Sequence, residues 1–212
     1  MVVQFRRLVE DCRVIKPFER TLELTRRCLE VFIRFKNPVG IITKNHLVTR
    51  DLDYLEELAR NNLVMVTISI TSLDDDLIRK MEPRTSITAK RFEAVRMLAQ
   101  RGIPVGVNVA PIIPGLTDEE IPSILERSAA SGARFASYTI VRLTGAVEPL
   151  FLDWLKRELP ERAGKIENRI RDTRGGKLTD PRFGKRMKGE GEIAKTIKRL
   201  FQIHCEKYGF YE

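Results

Sequence analysis

Several patterns that mark common active sites are missing from this chain of 212 residues. It has only two histidines and three widely spaced cysteines, Cys12, Cys28 and Cys205, so neighbouring residues offer no zinc site of ordinary ligand spacing. Glycine-rich phosphate loops and the G-x-S-x-G nucleophile elbow are also absent. These gaps argue against zinc enzymes, P-loop nucleotide-binding proteins and α/β-hydrolases.

Long apolar runs are missing as well. No stretch approaches the roughly 20 apolar residues needed to cross a bilayer, and the opening MVVQFRRLVED lacks the apolar core and cleavage site of a secretory signal. An odd number of scattered cysteines is typical of a reducing compartment. We therefore expect a cytoplasmic protein with no membrane partner, and the sequence does not indicate its oligomeric state.

Apolar, β-branched segments alternate with helical patterns along most of the chain. Buried strands are predicted at 38–44, 63–71, 104–112 and 133–143, with 1–5 as a shortened fifth. Helices are predicted at 19–35, 51–60, 88–100, 148–158 and 192–208, and a further one opens at Thr117 with Glu120 as its capping box. Strands joined by helical crossovers predict an α/β fold with parallel strands, either an open doubly wound sheet or a complete or partial (β/α) barrel.

Polar residues gather where the predicted strands end. These ends are 43–46, 69–72, 108–114 and Arg142, whereas the opposite ends carry ordinary turn residues. Because ligands of both architectures bind at the carboxyl ends of the strands, this asymmetry predicts a ligand site along one rim.

Positive charge is concentrated near the C-terminus. The net charge is +9, and residues 162–188 hold ten Lys or Arg against three acidic residues. Such a segment is either a footprint for nucleic acid or another polyanion, or a solvated face that keeps the protein soluble. The glycine and proline dipeptides between 166 and 191 predict an irregular loop.

A resemblance to a known family is carried by NPVGIITKNHLVTRDLDYLEELA, by the segment 66–122 with its MEPR and APIIPG stretches, and by NRIRDTRGGKLTDPRFGKRMKGEGE. From about Glu19 to the C-terminus the chain resembles the radical S-adenosylmethionine (radical SAM) superfamily. More narrowly, it is similar to the proteins related to spore photoproduct lyase that are often labelled DNA repair photolyases. This resemblance implies a partial (β/α) barrel of radical SAM type, a partial TIM barrel, with S-adenosylmethionine across the strand ends beside a [4Fe–4S] cluster.

The resemblance also implies cofactor-binding roles for particular residues. Lys44 matches the lysine that pairs with the methionyl carboxylate, Ser69 lies near the ribose or amino acid moiety, and Arg84 closes over the same group. Pro111, Ile112 and Ile113 match a ledge against the adenine, and Asn108 precedes them on the same strand.

The chain departs from this family in one essential respect. Members hold the cluster with three cysteines spaced C-x-x-x-C-x-x-C, and no such motif is present. We therefore expect a truncated radical SAM core at 1–145 with a basic extension at 146–212, inactive in lyase-type radical chemistry as it stands. No metal ligands are predicted.

Two other functions stay open at this point. One is a non-catalytic protein that binds nucleic acid or another polyanion through residues 162–188. The other is a different (β/α) enzyme that holds a phosphate-bearing substrate with Lys44, Arg84 and Arg142.

Overall fold

Five parallel strands form the sheet of the computed structural model, which describes residues 6–9, 16–180, 182 and 185–211. The strands are β1 (Arg6–Val9), β2 (Val39–Thr43), β3 (Val64–Ile70), β4 (Val105–Ile112) and β5 (Phe135–Ile140). Each strand pairs with the next one in the chain, in the order β1-β2-β3-β4-β5. A doubly wound sheet reverses its strand order at a switch point, so this order identifies the sheet as the wall of a partial (β/α) barrel.

The helices follow the strands as the crossovers require. They are α1 (Lys16–Leu22), α2 (Leu24–Arg34), α3 (Leu52–Arg60), α4 (Asp75–Met81), α5 (Thr88–Gln100), α6 (Ile121–Ala130), α7 (Val147–Glu158), α8 (Pro160–Asp172), α9 (Lys185–Lys188) and α10 (Gly191–Tyr208). Two short 3₁₀ helices occupy His46–Asp51 and Asp118–Glu120. Within the described ranges, no helix is long and apolar enough to cross a membrane.

The two faces of the sheet differ in chemistry. On β3 and β4, Ile68, Ile70, Val107 and Val109 belong to the buried core, with at most 1% of their surface exposed. The alternate residues of the same strands include Thr67, Ser69, Gly106 and Asn108. Because successive strand residues point to opposite faces, the sheet has one apolar face and one polar face. The polar face is the interior side of a partial barrel.

Three sequence predictions about helices are wrong. Residues 19–35 do not form a single helix, because Glu23 adopts a left-handed conformation (φ 50°) that separates α1 from α2. The predicted irregular segment from residue 166 is helical as far as Asp172, because α8 buries Ala163, Ile166 and Ile170. Thr117 and Glu120 form no capping box; their side chains bond elsewhere in the loops.

The C-terminal extension packs on the same core as the strands. Leu155 of α7, Ile166 of α8 and Phe201 of α10 belong to the hydrophobic cluster that contains the sheet. The predicted strand at residues 1–5 lies outside the described residues.

Donors from the extension also cover the outer edge of β5. The Tyr211 N–H donates to the Arg134 carbonyl (3.1 Å), and Lys188 Nζ donates to the Tyr138 carbonyl (2.9 Å). Arg174 Nη2 donates to the carbonyls of Ile140 (3.2 Å) and Val141 (2.8 Å). An uncovered sheet edge invites pairing with another chain, and these bonds occupy acceptors along this one.

Candidate functional site

Lys44 stands directly after β2, at the carboxyl edge of the sheet. Its ammonium donates to Thr71 Oγ1 over 2.9 Å and makes a short ion pair with Glu82 Oε1. The Lys44 side chain is 20% exposed and that of Glu82 is 10% exposed. A cation is thus held half-buried at the rim where the sequence predicts a ligand.

Glu82 joins this lysine to a buried arginine. Its second oxygen, Oε2, accepts from Arg91 Nη2 over 2.7 Å, while Oε1 lies 2.8 Å from the hydroxyl of Thr71. Burial alone would raise the pKa of Glu82, but the charges and hydrogen bonds of Lys44 and Arg91 outweigh it, so the pKa is lowered. The carboxylate therefore stays ionised at neutral pH.

Arg91 lies on α5 and is completely buried. Its Nη1 donates to the Ser69 carbonyl (3.0 Å), its Nε to the Ser86 carbonyl (2.8 Å), and its Nη2 also to Thr85 Oγ1 (2.7 Å). One guanidinium thus ties β3, the loop before α5 and the Glu82 carboxylate together. This arrangement fixes the rim to the helix layer.

A row of polar side chains crosses the interior face of the sheet. Ser69, Asn108 and Ser137 are in register on β3, β4 and β5, and Ser137 Oγ donates to Asn108 Oδ1 over 3.1 Å. Ser69 is 5% exposed, Asn108 is half-buried and Ser137 is exposed. The row offers amide and hydroxyl groups to a ligand inside the partial barrel.

An aromatic ring lies one step nearer the amino ends of these strands. Gly106 is in register with Phe135, and a Cβ at Gly106 would lie only 2.1 Å from the Phe135 ring. The ring therefore rests against the backbone of β4, which only a glycine permits there.

The other predicted site residues lie along the same rim in different settings. Ile112 and Ile113 are completely buried, so a ledge in this segment has only backbone and the half-buried Pro111 to offer. Arg84 is exposed in the loop between α4 and α5, two residues after Glu82. Arg142 is exposed just beyond β5, with Nη1 3.6 Å from Met187 Sδ.

Glu120 connects two rim loops. Its carboxylate accepts from Ser72 Oγ (2.8 and 3.0 Å) and from the backbone N–H of Leu73. Thr117 Oγ1 instead accepts from the Ile113 N–H over 2.9 Å. The Glu120 bonds hold the loop after β3 against the loop after β4, and the Thr117 bond lies within the second of these loops.

Much of the basic C-terminal segment is engaged within the protein. Arg171 pairs with Glu167, Arg169 with Asp118, Arg182 with Asp180 and Glu190, and Lys185 with Glu190. Arg162 donates to the Gly115 carbonyl, while Arg174 and Lys188 donate to carbonyls of β5 and the residue after it. Lys165 and Lys177 are exposed.

Sequence reasoning missed Glu82, Arg91 and Ser137, and it placed Thr71 in the polar strand end 69–72 without a role of its own. Arg91 carried a usable signal, because α5 buries Thr88, Arg91, Val95 and Leu98 at helical spacing. A charged residue at a core position of an amphipathic helix requires a buried partner.

The two described cysteines do not offer a joint site for a [4Fe–4S] cluster. Cys28 is exposed on α2 and Cys205 is buried on α10, while Cys12 lies outside the described residues. Across the part of the chain that is described, no three His, Cys, Asp or Glu residues converge as a metal site. Three thiolates are needed to hold such a cluster and leave one iron open.

The family model of the radical SAM superfamily matches residues 9–127. An uncharacterized protein of Mycobacterium tuberculosis (strain ATCC 25618 / H37Rv) is 33% identical over 126 residues, which are 58% of this chain and 37% of that protein. A radical SAM Nalpha-GlyT isomerase of Pseudomonas phage M6 is 23% identical over 162 residues, 76% of this chain and 33% of the isomerase. The chain thus spans between a third and two fifths of these curated relatives.

Solved structures of spore photoproduct lyase have the same fold. A single-site mutant of that enzyme superposes with a TM-score of 0.66 at 21% identity, covering 100% of this chain and 61% of the lyase. A second mutant, bound to the dinucleoside spore photoproduct, has a TM-score of 0.64 at 18% identity and covers 62% of the lyase. With more than half of its residues matched by the family model and its strands wound as a partial barrel, the chain belongs to the radical SAM superfamily.

Proposed function

We propose that this chain binds S-adenosylmethionine at the carboxyl ends of β2, β3 and β4. The observation that carries the proposal is the half-buried ammonium of Lys44, held at the rim by Thr71 and Glu82. An ammonium suits the methionyl carboxylate as a compact point charge. Asn108 and Ser137 supply hydrogen bonds on the interior face, with Ser69 in the same row and Arg84 on the loop between α4 and α5.

The bound cofactor would supply the 5′-deoxyadenosyl group for radical chemistry. The residues of this chain bind and orient it, and Pro111 together with the backbone of Ile112 and Ile113 forms one wall of its site. We further propose that these 212 residues do not cleave the cofactor reductively by themselves; the absence of a C-x-x-x-C-x-x-C motif from their sequence supports this. We also propose a cytoplasmic location for the protein, because an odd number of scattered cysteines is typical of a reducing compartment.

Calorimetry with two ligands tests this placement. S-adenosylmethionine and 5′-methylthioadenosine share the nucleoside, but only the first carries the amino acid carboxylate. We expect Lys44→Ala to weaken S-adenosylmethionine binding about ten-fold or more, since a charge-assisted hydrogen bond contributes roughly 1.5–3 kcal/mol. Binding of 5′-methylthioadenosine should hardly change.

Lys195→Ala is the matched control. Lys195 pairs with Glu192 on α10 and is 72% exposed, so its loss should alter neither ligand, and all titrations are run at one salt concentration. Equal binding of S-adenosylmethionine by the parent and Lys44→Ala would refute the placement. Inorganic phosphate competing at Lys44, Arg84 and Arg142 would favour a phosphate clamp instead.

A second proposal concerns nucleic acid. The relevant observation is that Lys165 and Lys177 are exposed in the basic segment, while one structure of spore photoproduct lyase contains a dinucleoside ligand. DNA binding that weakens steeply with salt, and that weakens further in a Lys165→Ala/Lys177→Ala variant, would support a role in nucleic-acid repair or binding. DNA binding insensitive to these changes would leave the segment a structural element.

A further inference from the structure

We propose that Glu82 is a positioning residue for Lys44, which keeps the ammonium charged and directed at the rim. This inference rests on the proposed S-adenosylmethionine site. Glu82 itself has no assigned contact with the cofactor, so its contribution acts through the lysine.

The carboxylate of Glu82 divides its two oxygens between two cations. Oε1 accepts from Lys44, and Oε2 accepts from Arg91 over 2.7 Å. Arg91 is held in place, because it also donates to the Ser69 and Ser86 carbonyls and to Thr85 Oγ1. Glu82 is therefore anchored on one side by a buried guanidinium and presents its other side to Lys44.

Thr71 completes the position of the ammonium. Its hydroxyl oxygen accepts from Lys44 Nζ over 2.9 Å and lies 2.8 Å from both Glu82 Oε1 and the Ala110 carbonyl. The single proton of this hydroxyl is donated to one of those two acceptors at a time. Lys44 is thus held from two directions at the end of β2.

Glu82 supplies the negative charge between two cations, Lys44 and Arg91. Lys44 approaches from β2 and Arg91 from α5, whereas Thr71 on the loop after β3 and Thr85 on the loop before α5 are neutral. Further along the rim, His46 Nε2 faces Glu93 Oε1 of α5 at 3.8 Å, and Arg84 lies on the exposed loop. Without the Glu82 charge, the half-buried ammonium of Lys44 lies near the fully buried guanidinium of Arg91 with no counter-charge between them, so we expect the ammonium to lose its proton at lower pH.

The variant Glu82→Gln tests this by removing the charge and keeping the shape. We expect it to weaken S-adenosylmethionine binding about three-fold at pH 6.5 and about six-fold at pH 9.5, each relative to the wild type at the same pH. Glu120→Gln is the matched control, because it removes a half-buried carboxylate that joins two loops of the same rim through bonds from Ser72 and Leu73. It should leave the pH profile as in the wild type.

A second measurement needs no cofactor. Acetic anhydride acylates a lysine only in its uncharged form, so the rate at which Lys44 is acetylated, followed by peptide mass spectrometry from pH 8 to 11.5, reports its protonation. The inflection should lie about one pH unit lower in Glu82→Gln than in the wild type. Lys90, which is 54% exposed beside Glu93, is the internal reference.

Glu82→Asp keeps the charge and guards against a variant that fails to fold. The inflection of Lys44 in this variant should stay within a few tenths of a pH unit of the wild-type value, because the negative charge is retained close to its original position. An unchanged inflection in Glu82→Gln, or an equal shift in Glu82→Asp, would overturn the inference. If Lys44→Ala leaves binding intact while Glu82→Gln moves the inflection, the proposed cofactor site fails and the positioning of Lys44 stands.

Discussion

Replacing Arg91 by methionine should destabilise the protein far more than an ordinary arginine substitution. The guanidinium is fully buried and donates to Glu82, Thr85, Ser69 and Ser86 over 2.7–3.0 Å. Methionine fills much of the volume, but it leaves the Glu82 carboxylate paired with Lys44 alone of its two cations. The Ser69 and Ser86 carbonyls also lose the donor that Arg91 supplied. Breaking a buried ion pair from one side costs about 3–5 kcal/mol.

That loss is a large share of the roughly 5–15 kcal/mol by which domains are stable. It corresponds to a fall in melting temperature of roughly 6–20 °C for a chain of this size. Urea unfolding followed by circular dichroism measures the change in the free energy of unfolding. Arg101→Met is the control, because Arg101 is 57% exposed and pairs with Glu56 at 3.2 Å, which predicts a loss of about 1 kcal/mol or less. A loss of under 1 kcal/mol in Arg91→Met would refute the view that this arginine holds the rim.

Three further predictions concern other parts of the molecule. Anaerobic reconstitution of the 212-residue chain should yield iron and sulfide far below one cluster per chain; near-stoichiometric amounts lost on replacing the cysteines would contradict this. Gly106→Ala should lower stability by about 1–3 kcal/mol through overpacking against Phe135, whereas Gly164→Ala, at an open position of α8, should not; equal effects would argue against the close contact. Because the pKa of Glu82 is lowered from 4.5, its ion pairs stabilise the fold above that pH and are lost as the pH falls through the lowered value. The wild type should therefore lose more stability in acid than Glu82→Gln, as measured by urea unfolding from pH 6 to 3, and parallel profiles would exclude this contribution.

The strands were the most predictable part of the fold. Runs such as 63–71 and 104–112 are β-branched, free of charge and bounded by turn residues, and the structure places β3 and β4 within them. The predicted helix at 88–100 coincides with α5. Gly102 indicates where it ends, and the structure gives this glycine the positive φ (69°) of a residue that follows a helix. Strand composition alone does not decide the strand order, since buried strands have the same composition in a doubly wound sheet and in a barrel.

The wrong predictions about helices rested on short sequence signals such as single turn residues. Gly175 and Gly176 indicated an irregular segment, although Ala163, Ile166 and Ile170 form an apolar helical stripe just before them. At the site, Lys44 was predicted as a rim cation, but its partner Glu82 lies 38 positions away in sequence. Contacts between loops of different crossovers depend on how the sheet is wound, which no local window contains.

The Phe135 ring resting on Gly106 sets how deep a ligand can reach into the partial barrel. The row of Ser69, Asn108 and Ser137 lines the interior face in the carboxyl-terminal part of the strands. One strand step of two residues below that row, about 6.6 Å along the strand, the aromatic ring already fills the space above β4. Beside β4 and β5, the interior is therefore occupied by an apolar ring just below the polar row. This favours ligands that lie across the strand ends over ligands that extend along the barrel axis.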